Sequence, residues 1–89
     1  MLSFRQLEKH VKGFANHRRI QIMVLLSAEP GLSLLDIAEK LKINFKTAGD
    51  HTRRLHHAGL ITKKHRSAAV AHEVSHRGKV VLKFLRTLE

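Results

Sequence analysis

The spacing of the apolar residues changes twice along this chain, and these changes limit the folds that it can adopt. From residue 4 to residue 58 apolar side chains recur every three or four positions, the period of an amphipathic helix. Between residues 60 and 74 they alternate with polar ones as in strands, and after Ser75 the helical period returns. The sequence therefore predicts an α+β fold that is mostly α, with helices, then a β-hairpin, then a last helix.

Two helices are predicted before Pro30-Gly31, the clearest turn signal in the chain. The first is amphipathic and ends near Gly13. The second follows Asn16, a residue type that favours the N-cap, and its inward face is predicted to carry Ile20, Met23 and Val24. Its remaining apolar residues widen that stripe, so we expect this helix to be central and mostly buried.

Two shorter helices follow the turn, and together they have the outline of a helix-turn-helix. The first begins after Ser33, with Asp36 three residues later in a weak capping box. The second begins at Asn44 or Phe45 and ends at Gly59, where glycine supplies a left-handed cap. Only a few residues separate the two helices.

The rest of the chain is predicted to form a hairpin and one helix. Residues 60–65 and 69–74 have the alternation of two strands, and Arg66 lies in the connection, which gives the hairpin a basic tip. Ser75 is predicted to cap the last helix. With 89 residues, the chain is expected to form a single domain over residues 1–89.

Composition excludes several kinds of chemistry. Without cysteine there is no disulfide framework, iron–sulfur cluster, cysteine zinc site or thiol nucleophile. The eight histidines form no helical pair with a nearby carboxylate, so no metal or other cofactor is predicted. The seven acids are scattered and no nucleophile elbow or nucleotide-binding loop is present, so no enzyme is expected. No apolar run approaches the roughly 18 residues of a membrane span, so no membrane partner is predicted and the expected compartment is cytoplasmic.

The positive charge of the chain indicates its partner. Seventeen Lys and Arg against seven Asp and Glu give a net charge of +10 with neutral histidines, which favours a polyanion such as nucleic acid over a merely soluble basic protein. The chain has four Phe but no Tyr or Trp, so it is poorly equipped to stack single-stranded bases. Double-stranded DNA is therefore the predicted partner.

Five segments carry motifs that occur together in one family. They are an Arg-containing, Ile-Leu-rich stretch, a Ser-capped helix, a polar helix, an Ala-Gly-Leu-Ile ending and a Ser-x-x-Gly junction: Asn16–Leu26, Ser33–Leu41, Lys46–Leu55, His56–Ile61 and Val74–Gly78. In this order and spacing they resemble the winged helix-turn-helix DNA-binding domains of prokaryotic transcription regulators, ArsR-type repressors most closely. The resemblance covers roughly residues 14–88 and implies a sequence-specific DNA-binding regulator of transcription, a repressor acting as a homodimer, with Lys46–Leu55 in the recognition helix.

The recognition helix and the hairpin, or wing, are the predicted DNA-binding elements. Ala48, Thr52 and Leu55 are expected to face the core, which turns the charged positions outward. From residue 44 to 66 there are six Lys or Arg against one acid. The predicted DNA-binding residues are Asn44, Lys46, Thr47, Asp50, His51, Arg53, Arg54, Lys63, Lys64, His65 and Arg66.

Three residues depart from the family pattern. Gly49 replaces a small polar residue and costs about 1 kcal/mol of helix stability relative to Ala. Asp50 would repel phosphate unless it pairs with Arg53 or Arg54 or accepts a hydrogen bond from cytosine. Thr52 replaces a usual Leu and lightens the packing. We interpret these as changes in specificity or affinity.

The terminal helices are predicted to form a two-fold interface. The last helix is apolar over too wide an arc to face only its own small core, although completing that core is the alternative. A symmetric dimer would place two recognition helices about 34 Å apart on a pseudo-palindrome. The predicted interface residues are Phe4, Leu7, Val11, Val81, Phe84, Leu85 and Leu88.

Three other functions stay open at this point. Asp50 and Gly49 suit a winged-helix module that binds protein or RNA instead of DNA. Charge alone suits a non-specific architectural DNA-binding protein. A repressor that senses a metal or a small ligand is the third, although the sequence offers no obvious effector pocket.

Overall fold

The computed structural model describes residues 1–89 as five helices and one two-stranded antiparallel hairpin. The predicted order and type of the elements are confirmed. The elements are α1 (Phe4–Phe14), α2 (His17–Ala28), α3 (Leu34–Leu41), α4 (Phe45–His57), β1 (Ile61–Arg66), β2 (Ala69–Val74) and α5 (His76–Arg86).

Each helix begins after a Ser or Asn whose side chain accepts a hydrogen bond from the first turn: Ser3, Asn16, Ser33, Asn44 and Ser75. Such a cap typically stabilises a helix by about 1 kcal/mol relative to Ala. The capping box of α3 is complete, because the Asp36 carboxylate also accepts from the Ser33 N–H at 3.2 Å. Three of these caps, Asn16, Ser33 and Ser75, are as predicted, while Asn44 was predicted only as a helix start and Ser3 was not predicted.

A tight turn joins α3 to α4. Lys42 takes the left-handed conformation with φ 55°, and the Ile43 N–H donates to the Ala38 carbonyl at 3.0 Å. At the other end of α4, Gly59 has φ 73° and the Leu60 N–H returns to the Leu55 carbonyl at 2.9 Å. Lys42 thus ends α3, and Gly59 follows the end of α4, which is the second helix of the helix-turn-helix.

The hairpin pairs β1 with β2 from Ile61↔Val74 to Arg66↔Ala69. Its first strand is one residue later than predicted, because Arg66 pairs within the ladder and only Ser67 and Ala68 form the turn. A third backbone pairing, which was not predicted, also involves β2.

This third pairing is a single bridge that ties the segment before α3 to the middle of β2. The backbones of Leu32 and His72 pair, and the Gly31 N–H donates to the His72 carbonyl at 2.9 Å. The His72 ring Nδ1 lies 2.9 Å from the Leu32 carbonyl oxygen, and the side chain is buried. The wing is thereby fastened to the helix-turn-helix at its base.

Side chains from every element except α1 form the core, and α2 contributes most. The fully buried large residues are Ile22, Met23, Leu26, Ile37, Thr52, Leu55, Leu60 and Ile61.

The predicted inward face of α2 is wrong by part of a turn. Ile22, Met23 and Leu26 are buried, whereas Val24 is 53% exposed and Ile20 lies in a groove between α2 and α5. Of the seven residues from Ile20 to Leu26, all but Gln21 are apolar, so the spacing of apolar residues could not distinguish the two faces of the helix. The packing of α3, α4 and the hairpin decides between them.

The two terminal helices sit at the edge of this core. In α1, Phe4, Leu7 and Val11 are exposed, and only Gly13 is buried. Gly13 allows a close approach to the end of α4, since a Cβ there would overlap the Ala58 side chain. Chain packing therefore leaves the apolar stripe of α1 in solvent.

The predicted interface residues of the last helix fall into two groups. Val81 and Leu85 are partly buried and pack against the monomer core, so for these two the alternative of completing the core holds in part. Phe84 is 54% exposed, and Leu88, which lies beyond the end of α5, is exposed as well.

Candidate nucleic-acid interface

The outer surface of α4 gathers the predicted polar residues. Ala48, Thr52 and Leu55 are buried as expected, and this fixes the rotation of the helix about its axis. Residues at successive spacings of four, three and four then share the opposite side, with two neighbours on the flank toward α1 and α2. The outward residues are Lys46, Asp50, Arg53 and His57, and the flanking ones are Thr47 and Arg54.

The negative charge of Asp50 is compensated by an ion pair with Arg53 in the same helix. Its Oδ1 accepts a hydrogen bond from Arg53 Nη2 at 2.7 Å, in the i,i+3 geometry. That bond, helped by the positive charges of Arg53, Lys46 and Arg54, lowers the pKa of Asp50. The carboxylate is therefore charged at neutral pH, and its ion pair with Arg53 reduces the repulsion of DNA phosphate that was expected from the sequence. Arg54 has no acid of its own and stays the free cation of the pair.

His51 does not stand with the exposed residues. It is half-buried, and its Nδ1 is shut off from solvent without a hydrogen-bond partner. Burial, followed by the positive charge of Arg19, lowers the pKa of its imidazole. At neutral pH His51 is therefore uncharged, and it lies on the side of α4 toward α2 instead of on the outward stripe.

The N-terminal turn of α4 carries one residue that the sequence reading missed. Phe45 follows the cap directly and is 56% exposed, beside Lys46 and Thr47. Asn44 uses its Oδ1 to accept from the backbone N–H groups of Lys46 and Thr47, at 2.8 and 3.3 Å. Phe45 could have been found from the sequence, because it is a large apolar residue outside the inward set of Ala48, Thr52 and Leu55.

The register divides the four predicted wing residues between two faces. Lys63 pairs with His72 and His65 with Val70, while Lys64 and Arg66 alternate with them on the other face. All four are exposed, but Arg66 lies 3.7 Å from Glu73 and shares its charge with that carboxylate. The tip is basic as predicted, although its cations do not form one cluster.

The two other departures in α4 have simple structural consequences. A Cβ at Gly49 would meet Leu34 at 3.5 Å, an ordinary contact, so the glycine is not required by space. Thr52 is 1% exposed, and its hydroxyl donates to the Gly49 carbonyl at 3.0 Å. The buried Thr52 hydroxyl therefore has a hydrogen-bond partner within its own helix.

Other kinds of site find little support. No group of three or more His, Asp or Glu side chains is arranged to hold a metal ion. The helices also lack the combination of length and apolar character that would allow any of them to cross a bilayer.

Residues 16–62 match the family model described as winged helix-turn-helix DNA-binding. This segment contains α2, the helix-turn-helix and the start of the hairpin, so it includes all of α4. The sequence has no match among curated proteins.

Solved structures of transcription regulators have the same fold. The regulator HlyU from Vibrio vulnificus is 26% identical, with a TM-score of 0.77 over 94% of this chain and 88% of that one. A homodimeric winged helix-turn-helix DNA-binding domain from Mycobacterium bovis, described as a possible ArsR-family regulator, is 21% identical, with a TM-score of 0.84 over 99% and 87%. NolR from Sinorhizobium fredii is 17% identical, with a TM-score of 0.85 over 99% and 94%.

Proposed function

The chain belongs to the winged helix-turn-helix DNA-binding family, and from that premise we propose that it regulates transcription by occupying an operator as a homodimer, as a repressor. In this role it acts in the cytoplasm and catalyses no reaction. The observation that carries the proposal is the outward surface of α4, where Lys46, Arg53, Arg54 and His57 are all exposed.

This surface has the dimensions and chemistry for the major groove. A helix of about 10–12 Å diameter fits a groove about 12 Å wide, and its N-terminal half meets the base edges. Arg53 and Arg54 can bind guanine or phosphate through their planar guanidinium groups, while Phe45 can contact a thymine methyl group. Lys46 and Thr47 complete the reading end of the helix.

The proposed DNA-binding residues act from two elements. The recognition face comprises those of α4 and of the wing: Asn44, Phe45, Lys46, Thr47, Asp50, Arg53, Arg54, Lys63, Lys64, His65 and Arg66. Because the wing lies beside the C-terminal end of α4, we place its cations on the adjoining minor groove or phosphates. His51, which is neutral in the free protein at neutral pH, contributes from the flank.

Dimerisation is supported by apolar residues that the monomer leaves in water. Phe4, Leu7, Val11, Phe84 and Leu88 are all exposed, and they lie on or next to the two terminal helices. The M. bovis domain with the same fold is homodimeric. Association through α1 and α5 would cover these side chains, with Val81 and Leu85 at its base.

Selection of random duplex DNA by the purified protein at about 150 mM salt, followed by sequencing, tests the proposal. We expect a two-fold symmetric motif with half-sites about one helical turn apart. The matched control is the same selection with Arg53→Ala/Arg54→Ala, which should recover no motif. Binding by the wild-type protein without any enriched motif would contradict specific regulation and favour architectural binding, and an absence of duplex binding would favour a protein or RNA partner.

A further inference from the structure

A further positively charged surface adjoins the recognition face and shares Arg53 and Arg54 with it. It is a cleft of about 530 Å³ between α1, the start of α2 and the C-terminal half of α4. Five cations from three helices line it, and the only acid there, Glu8, lies 3.6 Å from one of them. The cations are Lys9, Lys12, Arg19, Arg53 and Arg54.

The backbone holds these cations together. Gly13 lets α1 come so close to α4 that a Cβ would overlap Ala58, and the His10 ring is hydrogen-bonded to the Ala58 carbonyl at 3.1 Å. Lys9 and Lys12 are therefore fixed next to the end of α4. Clustering like charges is unfavourable unless a counter-charge occupies the space between them.

Arg19 is the least satisfied of the five. Its Nη2 donates to the Lys12 carbonyl at 3.4 Å, but its Nε is buried without any partner. Burial and the positive charge of Arg54 lower the pKa of this guanidinium. An anion in the cleft would offset the clustered positive charge of Arg19 and Arg54 and so favour the charged form of this guanidinium.

We infer that this cleft binds a phosphate group. Guanidinium groups match phosphate oxygens with paired hydrogen bonds, and the lysines add charge without demanding fixed geometry. Apart from Gly13 and Ala58, every residue that lines the cleft has a charged or polar side chain, which favours an anion over a neutral apolar ligand.

The source of the phosphate rests on the proposed function. When α4 fills a major groove, the phosphates on the rims of the groove lie beside its flanks. Arg54 is on the flank toward α1 and α2, so the cleft would bind the phosphodiester backbone on that rim. The other source is a free phosphate-containing ion, which would occupy the same cations.

Two matched double variants separate a site from a general effect of charge. Lys9→Ala/Lys12→Ala removes two exposed lysines from the cleft, and Lys79→Ala/Lys83→Ala removes two exposed lysines from α5. Each lowers the net charge by the same amount. The exposed Lys12–Glu8 pair contributes little to stability, so both variants should fold like the wild-type protein.

The first measurement is duplex affinity over a series of salt concentrations. If the cleft binds the backbone, Lys9→Ala/Lys12→Ala should weaken binding to all sequences about tenfold and reduce the log–log salt slope by about 2. Lys79→Ala/Lys83→Ala should leave the slope unchanged. An equal loss in both variants would show that only net charge matters and would overturn a backbone site.

The second measurement is an NMR titration of the free protein with inorganic phosphate, followed at the Arg19 Nε–Hε signal. A saturable shift in the wild-type protein and its α5 variant, but not in the cleft variant, would establish the site for a free ion. If wild-type protein binds no duplex at all, the proposed function fails and this titration alone decides the inference. No selective effect in either measurement overturns it.

Discussion

The recognition face and the exposed apolar residues of α1 and α5 differ in what they need from a partner. Lys46, Arg53 and Arg54 are hydrated in the free protein, so their exposure does not lower its stability when no polyanion is bound. Phe4 and Phe84 are 87% and 54% exposed, and each loses the stabilisation of about 25 cal/mol for every Å² of apolar surface left in water. The apolar residues are therefore suited to a permanent protein interface, whereas the charged residues are suited to reversible binding of a polyanion.

Salt should act on these two surfaces in opposite directions. Screening and counterion release weaken phosphate contacts as salt rises, while a kosmotropic salt such as sulfate strengthens apolar burial. A protein whose dimer persists at a salt concentration that abolishes DNA binding would show that the two surfaces work independently.

The largest expected effect is on the recognition face. Replacing both arginines, in Arg53→Ala/Arg54→Ala, should weaken duplex binding about 10³-fold, or about 4 kcal/mol. The change removes two contacts and also leaves Asp50 without its partner, so the acid then repels phosphate. Binding is measured by fluorescence anisotropy, with the α5 variant Lys79→Ala/Lys83→Ala as control. Both arginines are exposed, so the helical circular dichroism signal should persist, and unchanged affinity would remove α4 from the interface.

The apolar surface is tested by Phe84→Glu. Phe84 is exposed in the monomer, so the substitution should leave the fold intact while it puts a charge into the proposed dimer interface, raising the dissociation constant about 100-fold. Sedimentation velocity reports the change, and the wild-type protein is the reference. Leu85→Asp provides the contrast, since Leu85 packs against the core and its substitution should unfold the chain instead. A dimer that survives Phe84→Glu would place the interface elsewhere.

The elements of the fold could be predicted because their signals are local. Asn16, Ser33, Asn44 and Ser75 mark helix starts by their own side chains, and the change of period at Gly59 marks the hairpin. Within α4 the single inward set of Ala48, Thr52 and Leu55 also fixed which residues face out, so the outward placement of Lys46 and Arg53 followed.

What could not be predicted depends on contacts between distant segments. The face of α2 that is buried depends on neighbours, since Ile22 and Val24 are equally apolar. The Leu32–His72 bridge is one pair and leaves no periodicity. The cleft beside α4 brings Lys12 and Arg19 to Arg54 through a close approach at Gly13, and the spacing of these residues in the sequence gives no sign of it.

Two glycine substitutions sharpen the comparison at a smaller scale. Gly49→Ala should stabilise the protein by up to about 1 kcal/mol, because Ala favours the helix and its Cβ meets only Leu34 at 3.5 Å. Gly78→Ala, at the start of α5, should destabilise it by about 2 kcal/mol, since a Cβ there would overlap the Leu60 carbonyl and Val74. Urea unfolding measures both. Equal effects of the two changes would contradict the view that α5 is seated tightly while α4 tolerates added volume.

The smallest expected effects come from pH, and they separate two histidines. Burial lowers the pKa of both His51 and His72, so the folded protein holds each neutral where the unfolded chain, with a pKa near 6.5, begins to bind protons. Their contribution to stability is therefore complete above about pH 6.5 and is lost as the pH falls toward the lowered folded-state pKa. Thermal unfolding followed between pH 7 and pH 5 should show the decline, and His72→Gln should reduce it.

Of these two histidines, only His51 should affect DNA binding between pH 7 and pH 5. Phosphate bound near Arg19 and Arg54 would offset the positive charges that help to lower the pKa of His51, so duplex binding should take up a proton. Affinity should then rise a few-fold as the pH falls from 7 to 6, less than the effect of either arginine. His51→Gln should remove most of this rise, while His72→Gln should leave it intact because His72 is buried at the base of the wing. A rise that survives His51→Gln would contradict the assignment of this pH dependence to His51.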